Sequence, residues 1–291
     1  MMTIDNIILG DNQFFGVNHM SQDKGRVAYE KFKDISEIKK ILFYAMDNGV
    51  KGVMFSTHPS IYQITDMMRK DAAIKNNFSL YINVPYIVKY MSMINEMGMY
   101  NTIKTMLRGK TFLENAKYVT ESAINVLTKD YLAIVNRLID VELAPFYDLN
   151  IKAVFLHNIL ADLALGYNMV DVIKSYDSYI KKKYNAIPAY GTLNYPAFCD
   201  LLKKADIKNS LIMTAVNKKG FLMNPDIESY KHEIAKNEHT VLAMATLASG
   251  RIPPQEAYEF LFSLNIKHVV VGLSSQKHAD ETFGILKKYL T

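Results

Sequence analysis

The chain has 291 residues, 49% hydrophobic and 22% charged, with a formal charge of +5 and a pI near 8.9. This is material for one large core, and no block of five or more like charges accompanies the mild positive charge, so no nucleic-acid partner is expected. One cysteine, Cys199, excludes an internal disulfide; no signal-like N-terminus and no apolar run near the ~20 residues of a membrane span occur, so a cytoplasmic protein with no membrane partner is expected.

The apolar, β-branched runs are short and do not alternate with polar residues, which is the pattern of strands buried on both faces. In chain order they are Ile7–Leu9, Gly52–Phe55, Ser79–Val84, Ile151–Leu156, Ile187–Tyr190, Leu211–Ala215, Thr240–Ala243 and His268–Val271. Helical periodicity follows each of them. A first helix is capped by Asp34 or Ser36 and ended by Gly49, and a second is expected as one unit from Ser60 to about Lys75. Others are expected over about Met169–Lys183, Tyr195–Lys204, Pro225–Lys236, Pro253–Leu264 and Ala279–Tyr289. Eight strand–helix pairs in one chain predict a single-domain (β/α)8 TIM barrel spanning residues 1–291. No Gly-x-Gly-x-x-Gly follows any strand, which argues against a Rossmann fold.

One interval breaks the rhythm. Residues 86–150 hold far more chain than one crossover needs, with Met91, Met93, Met97, Met99 and Met106 among them. A helical insertion within the barrel is expected there, its last helix covering about Asp130–Leu143. It leaves the C-terminal end of strand 3, so it serves either as a lid or homo-oligomer contact, or as an irregular core filled by methionine.

Catalytic groups of such barrels stand just after the strands. Asp11, Asn12 and His19 follow strand 1, and His58 and Tyr62 follow strand 2. His157 and Asn158 follow strand 4 and Asn194 follows strand 5. Ser249, Gly250 and Arg251 follow strand 7, and Gly272, Ser274, Ser275 and His278 follow strand 8. His157 is the leading candidate, because it is the first polar side chain after a buried run and titrates near neutrality. Tyr62 and His58 are further candidates for proton transfer; Asp11, Asn12, His19 and Asn158 are candidates for holding a small-molecule substrate. His232 and His239 read as surface residues, and His268 as structural. No metal is assigned in the leading reading. An alternative places a metal on His19, His58 and His157, since three imidazoles and a water form an acceptable catalytic set.

The stretch Gly272-Leu-Ser-Ser-Gln-Lys-His-Ala-Asp-Glu-Thr resembles the cofactor-phosphate segment of the aldo-keto reductases, with Gly272, Ser274, Ser275, His278, Glu281 and Thr282 at matching positions. Val241 to Ile252 is similar to that family's strand 7 and the loop under the pyrophosphate, here containing Ser249 and Gly250. Gly191-Thr192-Leu193-Asn194 resembles its Gly-x-Ser-Asn, whose Asn holds the nicotinamide amide, and Val154 to His157 resembles its strand 4, which ends in the substrate-site His. The resemblance implies a barrel that binds NADP(H) and reduces a small carbonyl or sugar-like substrate, with His157 at the His position and Tyr62 near that of the proton-donating Tyr. Three positions depart from the pattern. Ser56 or Thr57 stands at the family's Asp, Asn83-Val84-Pro85 ends strand 3 where the family has its Lys, and no counterpart is evident for the Gln that supports the nicotinamide at the end of strand 6. These departures keep two other expectations open: a barrel lyase, isomerase or hydrolase acting on a phosphorylated or anionic small molecule, and a non-catalytic ligand-binding barrel.

Overall fold

The structure is a computed structural model describing residues 3–17, 21–87, 89–92, 95–98, 131–273 and 276–290. Eight parallel strands close into one barrel in sequence order: β1 Ile7–Leu9, β2 Gly52–Ser56, β3 Ser79–Val84, β4 Ile151–Leu156, β5 Ile187–Thr192, β6 Leu211–Ala215, β7 Thr240–Met244 and β8 His268–Val271. β8 closes on β1 through Ile7 opposite Val269 and Leu9 opposite Val271. The expected (β/α)8 architecture is therefore the one observed.

The outer layer is α1 Gln22–Phe32, α2 Ile35–Asp47, α3 Ile61–Lys70, α4 Ala72–Asn77, α5 Tyr131–Leu143, α6 Asn158–Gly166, α7 Val170–Tyr179, α8 Tyr195–Lys204, α9 Ile227–Ala235, α10 Pro254–Ser263 and α11 Gln276–Leu290. The single helix expected from Ser60 to Lys75 is two. Asp71 turns extended and its carboxylate caps α4 by accepting the amides of Ala73 and Ile74 at 3.0 and 3.1 Å. The 3₁₀ turn Asn12–Phe15, α1 and α6 are additions to the expected elements. Of the insertion, α5 lies where its last helix was expected; residues 99–130 fall outside the described ones.

Returns from helix to strand share one device. Gly49, Asp148, Asn185, Asn209, Asn237 and Asn265 adopt left-handed backbone two or three residues before β2, β4, β5, β6, β7 and β8. Gly lacks the Cβ that penalises this conformation, and short Asn or Asp side chains tolerate it by local hydrogen bonding. Each turn reverses the chain and fixes which residues enter the barrel.

Inside the barrel, Ile8, Met54, Tyr81, Ala153, Phe155, Ala189, Leu211, Met213 and Leu242 form one packed cluster. The opposite strand faces join a larger core with the helices. At the N-terminal end Tyr81 donates to Asp5 at 2.7 Å, Lys152 pairs with Asp5 at 3.1 Å, and His268 Nδ1 lies 3.2 Å from the Asp5 carbonyl. This plug makes His268 structural, as expected, and leaves the other end for chemistry. His239, read as a surface residue, is instead half-buried, and its Nδ1 accepts the Ser210 amide at 3.2 Å. No described helix is long and apolar enough to cross a membrane.

Candidate active site

The site is built at the C-terminal ends of β1 to β4. Asp11 follows Gly10, whose amide still bonds Val271 of β8 at 2.8 Å. The Asp11 side chain is only 4% exposed, and its Oδ2 accepts the Ser56 amide at 2.5 Å. Burial disfavours the charged carboxylate and outweighs the hydrogen bonds from Ser56, so the acid is pushed up to about 6. Asp11 can therefore hold or release a proton near neutral pH.

Two histidines are fixed by one local device. His58 Nδ1 accepts the Ser60 amide at 3.1 Å, and His157 Nδ1 accepts the Ile159 amide at 3.3 Å, capping α6. With Nδ1 accepting, the neutral ring carries its proton on Nε2. Burial lowers the pKa of both rings, which keeps them neutral at pH 7. The His58 ring stacks on Phe15 with centroids 4.3 Å apart and meets Tyr86 edge-on at 5.2 Å. The Tyr86 phenol is raised first by burial and then by the charge of Asp11. Asp11, Phe15, His58 and Tyr86 thus form one cluster, with His157 on the neighbouring β4 loop.

Behind this cluster lies a group that the sequence reading missed. Glu142 of α5, 2% exposed, accepts hydrogen bonds from the Thr57 and Tyr90 hydroxyls, from Lys89 at 2.9 Å and from the Tyr86 amide at 3.2 Å. One carboxylate therefore ties the loop after β2 to the chain after β3. Lys89 Nζ lies 3.4 Å from the Tyr90 hydroxyl, so a Tyr–Lys pair does follow strand 3. Its chemistry differs from a proton donor's: burial and the Glu142 charge drive the Tyr90 phenol upward, making it a poor acid. The signal for Glu142 was available, since it sits beside Ile139 and Leu143 on the buried face of an apolar helix.

Tyr62 lies in the first turn of α3, 55% exposed, and adds to the electrostatic rise at Tyr90, so it stands at the outer rim. Asn12 is exposed in the 3₁₀ turn. Asn158 opens α6, and a Cβ at Gly191 would lie 3.2 Å from its amide nitrogen. Glycine at 191 is what lets the His157–Asn158 turn lie down on β5. His19, Ser274 and Ser275 lie outside the described residues, as does the side chain of His278. Among the described residues no three His, Cys, Asp or Glu side chains converge as a metal site; the three-imidazole alternative also needs His19.

Polar groups also gather at the β5–β8 rim. The Asn194 carboxamide oxygen accepts the Ala197 amide at 3.3 Å, capping α8 and orienting the amide group. After β7, Ala245, Ala248 and Ser249 all have positive φ, as does Gly250. Such backbone costs about 1–3 kcal/mol per non-glycine residue and clusters at ligand sites. The amides of Gly250, Arg251 and Ile252 converge on the Leu247 carbonyl, and the exposed Arg251 guanidinium lies over the Phe221 ring at 5.3 Å, beside Ser249 in the chain. Gly272 is exposed at the rim beside Gln13, and Glu281 is exposed on α11. Thr282 is buried against Tyr258, which also meets Thr246, so it locks α11 to the β7 loop. An amide-pairing group at one end and anion-pairing groups at the other fit NADP(H).

Two cavities border this framework. One of about 240 Å³ lies between the 3₁₀ turn and α1–α3, with Phe14, Phe15, Lys33 and Ser60 in its wall. The other, of about 490 Å³, is a groove near the N-terminal ends of β4 and β5. Neither is the barrel mouth, where the chemistry-bearing residues gather.

No protein-family model and no curated protein matches this sequence. Solved structures do match. An aldo-keto reductase from a Medee basin deep-sea metagenome library is 12% identical over 97% of this chain and 86% of its own, with a TM-score of 0.54. A thermostable aldo-keto reductase in complex with the inhibitor epalrestat is 11% identical over 98% of this chain and 90% of its own, with a TM-score of 0.57. An aldo-keto reductase from Brucella melitensis gives 8% identity, 96% and 88% coverage, and a TM-score of 0.51. At these identities the likeness is one of fold, and this chain is built on the (β/α)8 barrel that those aldo-keto reductases share.

Proposed function

We propose that the chain is an oxidoreductase of the aldo-keto reductase superfamily, acting in the cytoplasm, that binds NADP(H) and reduces a small carbonyl or sugar-like substrate. One observation carries this reading: a buried carboxyl raised to about 6, Asp11, stands at the mouth of a barrel of the fold that aldo-keto reductases share, in one cluster with His58 and Tyr86. Asn194 would take the nicotinamide amide. Ser249, Gly250, Gly272, Ser274, Ser275, His278 and Glu281 would line the phosphate and adenosine end. The bound cofactor supplies the hydride. Protonated Asp11 gives its proton to the carbonyl oxygen as the carbon is reduced, and the Nε2–H groups of His58 and His157 hydrogen-bond that oxygen. Tyr90, held by Glu142, keeps its proton.

The test is a titration of the full chain with NADPH, following cofactor fluorescence, then oxidation of NADPH with a panel of aldehydes. Saturable binding with turnover of at least one aldehyde is expected; no binding at millimolar NADPH sinks the reading. A second reading rests on the same acid–base set. With Tyr90 tied to Glu142, ionised Asp11 suits proton abstraction, with the Nε2–H groups of His58 and His157 to stabilise the oxyanion that forms, as in a lyase or isomerase of an anionic substrate. Turnover that is independent of NADPH supports it.

A further inference from the structure

Asn83 occupies the inward layer of the mouth. β3 places Tyr81 in the barrel interior, so two residues on Asn83 faces the same way. Its register partners are Ser56 on β2 and Phe155 on β4. Phe155 is apolar, and Ser56 gives both its amide and its hydroxyl to Asp11. The Oδ1 of Asn83 is buried and, among the described residues, has no hydrogen-bond partner. A buried acceptor left in this state costs about 1–3 kcal/mol, and such groups call for a reason. Neighbouring strands lie about 4.8 Å apart, so the orphan acceptor stands roughly one strand spacing from the Ser56–Asp11 pair.

We infer that Asn83 Oδ1 accepts a hydroxyl of the substrate on the carbon next to the reacting carbonyl, while Asp11 serves the carbonyl oxygen. The ligand class is then an α-hydroxy aldehyde or ketone, which deepens the carbonyl-reductase reading and rests on it. The two groups divide the labour. Asp11 alternates between donor and acceptor, whereas the atom Asn83 buries is its Oδ1, which only accepts, so in this orientation it takes a hydroxyl and gives nothing to a second carbonyl. A site built around a buried hydrogen bond discriminates strongly against the analogue that cannot make it, because the site's own polar group is left unpaired. Asn83 is thus a specificity-determining residue, and the hydride and proton balance of the reduction is unchanged by it.

The experiment compares glyceraldehyde with propanal, with NADPH as reductant, in wild type and in Asn83→Leu and Asn83→Ala. The expected result is a glyceraldehyde-to-propanal kcat/KM ratio that falls at least about tenfold in both variants. An unchanged ratio overturns the inference. Thermal unfolding of the ligand-free protein gives an independent readout. Leucine keeps the branching of asparagine and removes the orphan acceptor, so the Asn83→Leu midpoint should rise; a lower midpoint shows an acceptor already satisfied in the free protein and overturns the inference. If neither aldehyde is reduced by wild type, the reductase reading falls, and the thermal arm alone decides whether Asn83 is an acceptor kept for a ligand.

Discussion

The Asp11 carboxylate, at the end of β1, accepts the amide of Ser56, at the end of β2, over 2.5 Å in a setting only 4% exposed. The bond fixes the carboxyl without making it a strong acid, because burial raises its pKa from 3.8 to about 6. This has a consequence for stability. Between about pH 4 and 6 the folded chain keeps a proton that the unfolded chain has lost, so ΔG of unfolding falls as pH rises through that window. Above about 6 the deficit is constant, about 2–3 kcal/mol for two pKa units. Asp11→Asn carries no such charge. Its midpoint should exceed wild type by roughly 4–8 °C at pH 7–8 and match it near pH 4. Thermal melts across that range check this, and a pH-independent difference would contradict the buried-acid account.

The same proton sets the rate profile. If protonated Asp11 is the donor, kcat/KM for carbonyl reduction is flat below about pH 6 and drops about tenfold per unit above it. The neighbouring imidazoles do not take over as acids at higher pH, since burial lowers both and favours their neutral forms. Asp11→Asn should lose about 10²–10⁴-fold in rate and lose the inflection with it. An inflection that survives the substitution assigns the proton elsewhere.

The barrel was legible from its strands because each is short and apolar, and six of the eight follow a Gly, Asn or Asp that suits a left-handed turn. β3, β4, β6 and β8 fall on the expected residues, while β2, β5 and β7 run one or two residues further, to Ser56, Thr192 and Met244. Their last residues are polar or sit at the rim, where apolar pattern fades before pairing does. The site was legible only in part. Position after a strand singled out Asp11, His58 and His157, but the partners that tune them come from elsewhere. Phe15, Tyr86 and Glu142 reach the mouth through a 3₁₀ turn and an insertion, and strand-end position does not encode such contacts. Asn83 read as a missing lysine; that its buried oxygen lacks a partner among the described residues is visible only in the fold.

Glu142 joins the insertion to the mouth. Glu142→Ala leaves the Lys89 ammonium, the Tyr90 and Thr57 hydroxyls and the Tyr86 amide without their common acceptor. Removing one side of a buried charged network costs about 3–5 kcal/mol; Lys89 is a third exposed and can turn to water, which puts the loss at about 3. Urea unfolding measures this directly. Because Thr57 precedes His58, the reaction should also slow; an unaltered midpoint would mean that the carboxylate holds nothing.

Gly191 tests whether the His157 turn needs its seat on β5. An added Cβ would lie 3.2 Å from the Asn158 nitrogen and 3.4 Å from the Leu156 carbonyl oxygen, both backbone atoms that cannot swing aside. Forcing a methyl against packed backbone costs about 1–3 kcal/mol. The strain falls on the residues flanking His157, whose amide also bonds Val84 at 2.7 Å. Gly191→Ala should lower the unfolding midpoint and shift the His157 imidazole resonances while leaving those of His58 in place. If His157 serves the reacting oxygen as proposed, kcat should fall more than KM rises. A variant with normal stability and a normal His157 resonance would show that the turn after β4 holds its position without help from the strand beside it.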